Sequence, residues 1–349
     1  MVVSSTWSAG SLWGSWPELI ERLGVELPAD SYQLVAVLHP NIVQGHGAFQ
    51  VRAWLASAFR AGLILIPPDH GWQAALVAAD LVIGDHGSVT AYAAALDRAV
   101  LLGAFPENDV APGTAVHRLG QRASRLQRQQ PLRPQIESAL RDHRQDRYSE
   151  VAGLVSSVPG DAAERIRTLL FGLLHRPEPS SEALNAPYSG VGLAPAATPR
   201  LSAALVACVT DASARRVTLE RFAAEPPRSS ASVTLVGQVH LAVHHTYPGR
   251  RLRQAAEVLI AQADTVAEVE SWLTEALDTG AHTMTAAVGG PITAIRHRRF
   301  GRFDAEADGA MDGEIVASAV LAWLDSEAVD GPFIVEAGHR IVRVLIRRR

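Results

Sequence analysis

Leu81-Val82-Ile83-Gly84-Asp85-His86-Gly87-Ser88-Val89-Thr90 reads as a strand, a tight turn and the start of a helix. Leu81–Gly84 is a short apolar run without alternation, as expected of a strand covered on both faces. Gly87 permits a close backbone approach. Ser88 has the character of a helix N-cap. The free amides of the helical turn that follows point outward, with about half a positive charge behind them. At the carboxyl edge of an open parallel sheet, such a turn is a ready site for a diphosphate. The plainer reading of the same residues is structural, with Asp85 and Ser88 only capping a helix.

The flanking sequence has the same rhythm. Leu34–Leu38 reads as a buried strand that ends at His39-Pro40. Phe49, Val51, Trp54, Leu55, Ala58 and Phe59 fall at helical spacing and predict one helix over Gly47–Ala61, with Gly62 as its C-cap. Leu63–Ile66 is the next strand, stopped by Pro67-Pro68. Trp72–Ala79 and Val89–Leu96 read as helices, and Val100–Leu102 as a further strand. Strands that are apolar throughout and alternate with helices predict an α/β fold, a Rossmann-like parallel sheet with helices on both faces.

Three strand-end motifs carry a resemblance. Ser5-Thr6-Trp7 follows the first strand (already under way at Val2-Val3), His39-Pro40 follows the next, and Ala79–Val89 carries the Asp85-His86-Gly87-Ser88 turn. In order and spacing, the run from Val2 to about Leu126 resembles the C-terminal, nucleotide-binding half of the CDP-glycerol:poly(glycerophosphate) glycerophosphotransferase family, which has a GT-B fold. The resemblance implies a nucleotide-diphosphate donor, CDP-glycerol or similar. It implies that Gly87 and Ser88 hold the donor phosphates, that His39 sits beside them as the catalytic imidazole, and that Asp85 orients the turn. Thr6 and His86 complete the implied binding set. Two departures stand out: Gly87 replaces the first of the family's paired serines, and His86 replaces its tyrosine. The acceptor side of the family's active site comes from a preceding Rossmann domain. The expected partners therefore include a separate acceptor-domain chain, and a peripheral membrane contact is left open because the family's acceptors are membrane-bound polymers. The implied activity is transfer of a polyol phosphate to a hydroxyl acceptor. The alternatives are a non-catalytic nucleotide-binding or interaction module and a nucleotide-sugar glycosyltransferase.

Composition narrows the classes. The 349 residues suggest two or three domains. With 48% hydrophobic and 19% charged residues, the chain is globular in character. All 32 basic residues are arginine. Without lysine, a P-loop and a pyridoxal-phosphate Schiff base are both excluded. The formal net charge of −4 provides no global basic field, so nucleic acid is not an expected partner. The single cysteine, Cys208, lies in an apolar run and excludes an internal disulfide framework. Met1–Gly10 has neither the basic nor the apolar region of a signal peptide, and the expected setting is cytoplasmic. No cofactor is implied. His39, His46, His70 and His86 lie on separate loops without a local metal-binding pattern, so no metal is expected.

The expected organisation is a nucleotide-binding domain over residues 1–130, a helical extension over 131–175, a proline-rich linker over 176–200 and an α+β domain over 201–349. Val151–Leu174 reads as a helical hairpin. Beyond the linker, Leu201–Thr210, Val217–Phe222 and Val233–His244 read as antiparallel strands, Leu252–Ala263 and Val266–Leu277 as helices, Gly289–Arg296 as a strand, Glu314–Asp325 as a helix and Ile341–Ile346 as a last strand. His240, His244, His245 and Tyr247 lead into Arg250, Arg251 and Arg253, which reads either as a polar strand end or as a basic pocket for a phosphorylated acceptor. Asp304, Glu306, Asp308 and Asp312 read as a solvated acidic loop, and Arg347–Arg349 as a solvated basic tail.

Overall fold

The computed structural model describes residues 1–182, 201–225, 233–262, 266–326 and 331–349. Most of the proline-rich segment, from 183, lies outside the described residues. The contacts divide the chain into two units. The first comprises Met1–Leu19, Leu34–Trp54 and Ile64–Thr198; the second comprises Ile20–Gln33, Leu55–Leu63 and Pro199–Arg349.

Six parallel strands form the sheet of the first unit: β1 (Val2–Ser5), β2 (Val35–Leu38), β3 (Ile64–Leu65), β4 (Leu81–Gly84), β5 (Ala99–Leu102) and β6 (Ser124–Arg125). Their order is β3-β2-β1-β4-β5-β6. Val2 lies opposite both Val35 of β2 and Val82 of β4, so β1 is central. This is the doubly wound order, in which the direction of strand addition reverses beside β1. Its central strands are largely buried; β2, β4 and β5 are apolar, while β1 ends in the buried Ser4 and Ser5. The helices up to the end of the extension are α1 (Leu12–Ser15), α2 (Leu19–Glu26), α3 (Pro40–His46), α4 (Ala48–Trp54), α5 (Ala56–Arg60), α6 (Trp72–Val77), α7 (Ser88–Ala95), α8 (Ala115–Arg122), α9 (Leu132–Asp142), α10 (Ser149–Val155) and α11 (Ala162–Leu173).

Two expectations change in this half. The single helix over Gly47–Ala61 is broken at Leu55 into α4 and α5. The pair β5–β6 adds a strand, Ser124–Arg125, that the sequence did not suggest. The segment read as a hairpin, Val151–Leu174, carries two helices, α10 and α11, and α11 has no buried residue.

The second unit is a closed nine-stranded β-barrel and not the expected α+β domain. Its strands are β7 (Ala203–Asp211), β8 (Arg216–Ala223), β9 (Gln238–His244), β10 (Val258–Gln262), β11 (Met284–Val288), β12 (Ile292–His297), β13 (Gly301–Ala307), β14 (Phe333–Ala337) and β15 (Arg340–Arg348). They run around the barrel as β10-β11-β12-β13-β15-β14-β8-β7-β9, and the parallel pair β9–β10 closes it. Closure leaves no sheet edge exposed.

Helices α12 (Arg250–Ala255) and α13 (Val266–Thr279) connect the parallel strands β9, β10 and β11. The helix expected over Leu252–Ala263 therefore splits into α12 and the strand β10; Ala263 itself lies outside the described residues. Val258 and Ile260 belong to the barrel core, while Leu259 points to the other face. An apolar run with both faces covered satisfies strand and helix readings alike, and the parallel neighbours decide it.

Helix α14 (Gly313–Asp325) is buried from Glu314 to Leu324 and contacts seven barrel strands, β7, β8 and β10–β14. It fills the barrel. Trp323 stacks on Phe333 with ring centroids 4.8 Å apart. A helix that is apolar on every side needs an enclosure of this kind. Only part of the acidic run is a solvated loop, since Asp308 and Asp312 are exposed beyond β13, and the basic tail, up to Arg348, belongs to β15. Asp304 and Glu306 lie on β13, beside β15, and pair with Arg349 and Arg347.

Candidate functional site

The strand order reverses beside β1, and in open α/β sheets ligands bind at the carboxyl ends of the strands at such a point, here those of β1, β2 and β4. Asp85 follows β4 and is completely buried. Its Oδ2 accepts hydrogen bonds from the Thr6 amide, the Thr6 hydroxyl and the Leu12 amide, each at 2.8 Å. The Ser5 hydroxyl adds a longer one at 3.5 Å, and Oδ1 accepts from the Gly87 amide at 3.0 Å. No cation pairs with it among the described residues. Asp85 is held by backbone amides and hydroxyls, and it fastens the loop after β1 to the turn after β4. That loop is strained: Ser8 has φ 121°, rare for a residue with a side chain.

Helix α7 starts from this clamp. Its N-cap is Gly87 and not Ser88; Ser88 is the first helical residue. The reason is space. A Cβ on Gly87 would stand 2.5 Å from Thr6 Cγ2. Its amide donates to Asp85 Oδ1, and no side chain caps the helix. The first intrahelical bond back to Gly87 comes from Ala91, so the amides of Ser88, Val89 and Thr90 have no partner in the helix. Ser88 is exposed and its hydroxyl is accessible. Gly84 is needed for a different reason, since it makes room for Thr90, whose Oγ1 would lie 2.2 Å from an added Cβ.

His39 caps α3 at the end of β2. Its backbone amide donates to Ser5 O (3.0 Å), which places it directly beside the β1 loop. Its Nδ1 accepts the Asn41 amide (3.1 Å), so the ring proton is on Nε2 and the neutral imidazole is a donor. Trp7 lies with its ring 6.4 Å from that of His39 and is 55% exposed. Trp13, His46 and Trp54 extend the aromatic surface, with Trp54 in edge contact with both of the others.

The structure thus brings Thr6, Asp85 and Gly87 into one cluster, with His39 and Ser88 on neighbouring strand ends. His86 is half-buried, and its Nδ1 has no hydrogen-bond partner among the described residues. His70 bonds only Asp69. Among the described residues, no three His, Cys, Asp or Glu side chains converge on a metal position. Ser5 and the Leu12 amide were missed from sequence. Ser5 had a faint signal, a hydroxyl at the end of a strand that begins Val2-Val3.

In the second unit the histidine cluster divides. His240 and His244 share a face of β9 with Ala242 of the barrel core. Burial pushes His240 down to about 4, with Asp325 opposing the shift, and neither ring nitrogen has a partner among the described residues. His245 lies beyond the strand, where burial and then Arg253 lower it. Burial raises the Cys208 thiol to about 12. Arg221 is buried against Asp30 (2.7 Å) and Glu314 (3.3 Å). Burial pulls its pKa down, but these carboxylates more than offset that and hold it above the ordinary arginine value.

Comparison with protein-family models, curated proteins and solved structures gave no match. Among the described residues, no helix is long and apolar enough to cross a membrane.

Proposed function

We propose that the first unit binds a nucleotide-diphosphate donor at the carboxyl ends of β1 and β4, and that the chain transfers a polyol phosphate from it, as a GT-B-like CDP-glycerol glycerophosphotransferase does. The observation that carries this reading is the Asp85 clamp. It holds Gly87 and the first turn of α7, where the Ser88 and Val89 amides have no partner in the helix, at the kind of strand end where open α/β sheets bind phosphate groups. The exposed Ser88 hydroxyl adds a donor. His39 presents Nε2–H from the adjacent strand end, and Trp7 offers an exposed ring for the base.

In the reaction, an acceptor oxygen bonds to the glycerol-bearing phosphorus, the bond to the bridging oxygen breaks, and CMP leaves. Neutral His39 suits the role of donor to the charge developing on the departing phosphate. It does not suit that of base, because its unprotonated nitrogen is engaged by Asn41. Asp85 is committed to five hydrogen bonds and acts by positioning. The acceptor's proton therefore needs a base from outside this cluster, which agrees with an acceptor half on another chain. The same fact supports the second reading, a binding module without chemistry of its own.

Calorimetric titration with CDP-glycerol, CDP and UDP tests the first step, and release of CMP from CDP-glycerol tests the second. Micromolar binding of a CDP ligand, about tenfold weaker in Ser88→Ala, is the expected result. Binding without CMP release leaves the module reading. No binding of any of the three refutes both.

A further inference from the structure

The second unit carries a cavity of about 570 Å3 on the outer side of the barrel, lined by α12, β10, α13 and the loop before β11. Its size is that of a small-molecule site, for which roughly 300–1,000 Å3 is usual. The sequence explains its shape. Along α13, Trp272, Glu275, Ala276 and Thr279 recur at i, i+3, i+4 and i+7 and line it, while Leu273 and Leu277 are buried. Leu259, the outward residue of β10, also lines it.

The lining carries two opposite charges. Arg253 donates Nη1–H to the Tyr247 carbonyl (2.5 Å) and keeps Nη2 and Nε uncommitted among the described residues. The Glu275 carboxylate makes no hydrogen bond or ion pair among the described residues. His282 Nδ1 lies 2.7 Å from the Ala256 carbonyl, which can only accept, so His282 is a donor there and its Nε2 is an acceptor. His245, its ring 5.8 Å from that of Trp272, is kept toward its neutral form by burial and Arg253. A phosphorylated acceptor, the occupant its basic sequence suggested, is disfavoured: one fixed cation faces a free carboxylate.

We propose that this cavity binds a zwitterion with an apolar side chain, an α-amino acid of the phenylalanine or leucine class. The carboxylate pairs with Arg253. The ammonium is taken by Glu275 and His282 Nε2. The side chain packs on Trp272 and Leu259. This site is independent of the nucleotide reading, and either can fail alone.

The test is calorimetric titration of the full chain with L-phenylalanine, L-leucine, 3-phenylpropionate, phenethylamine and O-phosphoserine. Saturable binding of phenylalanine or leucine is expected, with both single-charge phenyl compounds at least about tenfold weaker than phenylalanine. Arg253→Gln and Glu275→Gln should each weaken amino-acid binding about tenfold or more, with unchanged circular dichroism. Trp272 fluorescence, read against Trp272→Phe, should change on binding. The proposal is overturned if neither amino acid binds, if 3-phenylpropionate binds as tightly as phenylalanine, or if O-phosphoserine binds more tightly than both amino acids. Should Glu275→Gln misfold, the phenylpropionate comparison on the unaltered chain still decides.

Discussion

Asp85 and Arg221 are both buried charges, and the two units satisfy them in opposite ways. Asp85 has no counter-ion among the described residues and collects backbone amides and hydroxyls from the loops around β1 and β4. Arg221 lies between two carboxylates, Asp30 and Glu314. The first arrangement fixes backbone: it engages the amides of Thr6, Leu12 and Gly87, the last at the start of α7, where Ser88 is exposed and Val89 half-buried. The second fixes segments, tying residues 20–33 and the first turn of α14 to β8. A carboxylate wrapped in amides organises a site; a guanidinium wrapped in carboxylates closes a core.

The largest effect should follow from breaking the second arrangement. Arg221→Ala removes a buried guanidinium from between Asp30 and Glu314 and should cost about 3–5 kcal/mol in denaturant unfolding. Arg221→Ala together with Asp30→Asn should recover part of this loss. Additive losses would mean that the ion pair does not bind these segments.

His240 receives neither treatment, and its effect should appear with pH. Its folded pKa, about 4, is below the unfolded value of 6.5. As pH falls below 6.5 the unfolded chain takes up the proton first, so stability is full above 6.5 and is lost down to about 4. The loss amounts to roughly 3 kcal/mol over that window. In His240→Leu this part of the pH dependence should disappear; an unchanged profile would assign it to other groups.

Asp85→Ala strands three amides, those of Thr6, Leu12 and Gly87. It should cost about 2 kcal/mol in thermal or denaturant unfolding and abolish nucleotide binding. A variant that still binds would show that the clamp does not make the site. The smallest effect is expected from Gly87→Ala. Its methyl would press on Thr6 Cγ2 and displace the turn. Donor affinity should fall about tenfold while the melting temperature moves little, which calorimetry and a thermal melt would separate.

The two units also differ in how far the sequence revealed them. In the first, strands such as Leu34–Leu38 and Leu81–Gly84 are apolar runs closed by Pro or Gly, and each has a neighbour one βαβ step away. In the barrel, closure also needs pairings between strands that are not consecutive: Ile334 pairs with Arg216, and Phe303 with Arg348. No local pattern encodes such pairings. β11, Met-Thr-Ala-Ala-Val, is poor in the branched and aromatic residues that mark strands, and the charges on β13 gave it the look of a loop. The legible sign of the barrel was α14, whose apolar residues surround the helix. At the site, the role of Asp85 was readable from its place before Gly87. Its partners were not, because backbone amides leave no trace in a sequence. Ser88 was misread as the cap because hydroxyl residues usually cap; here the cap position falls to Gly87, whose amide is held by Asp85.

The most direct measurement is amide chemical-shift mapping of the isotope-labelled chain during titration with CDP-glycerol. Saturable shifts concentrated at Thr6, His39, Gly87, Ser88, Val89 and Thr90 are expected. Saturable shifts confined to the barrel, or no shifts at millimolar ligand, would contradict a nucleotide-diphosphate site at the strand ends beside β1.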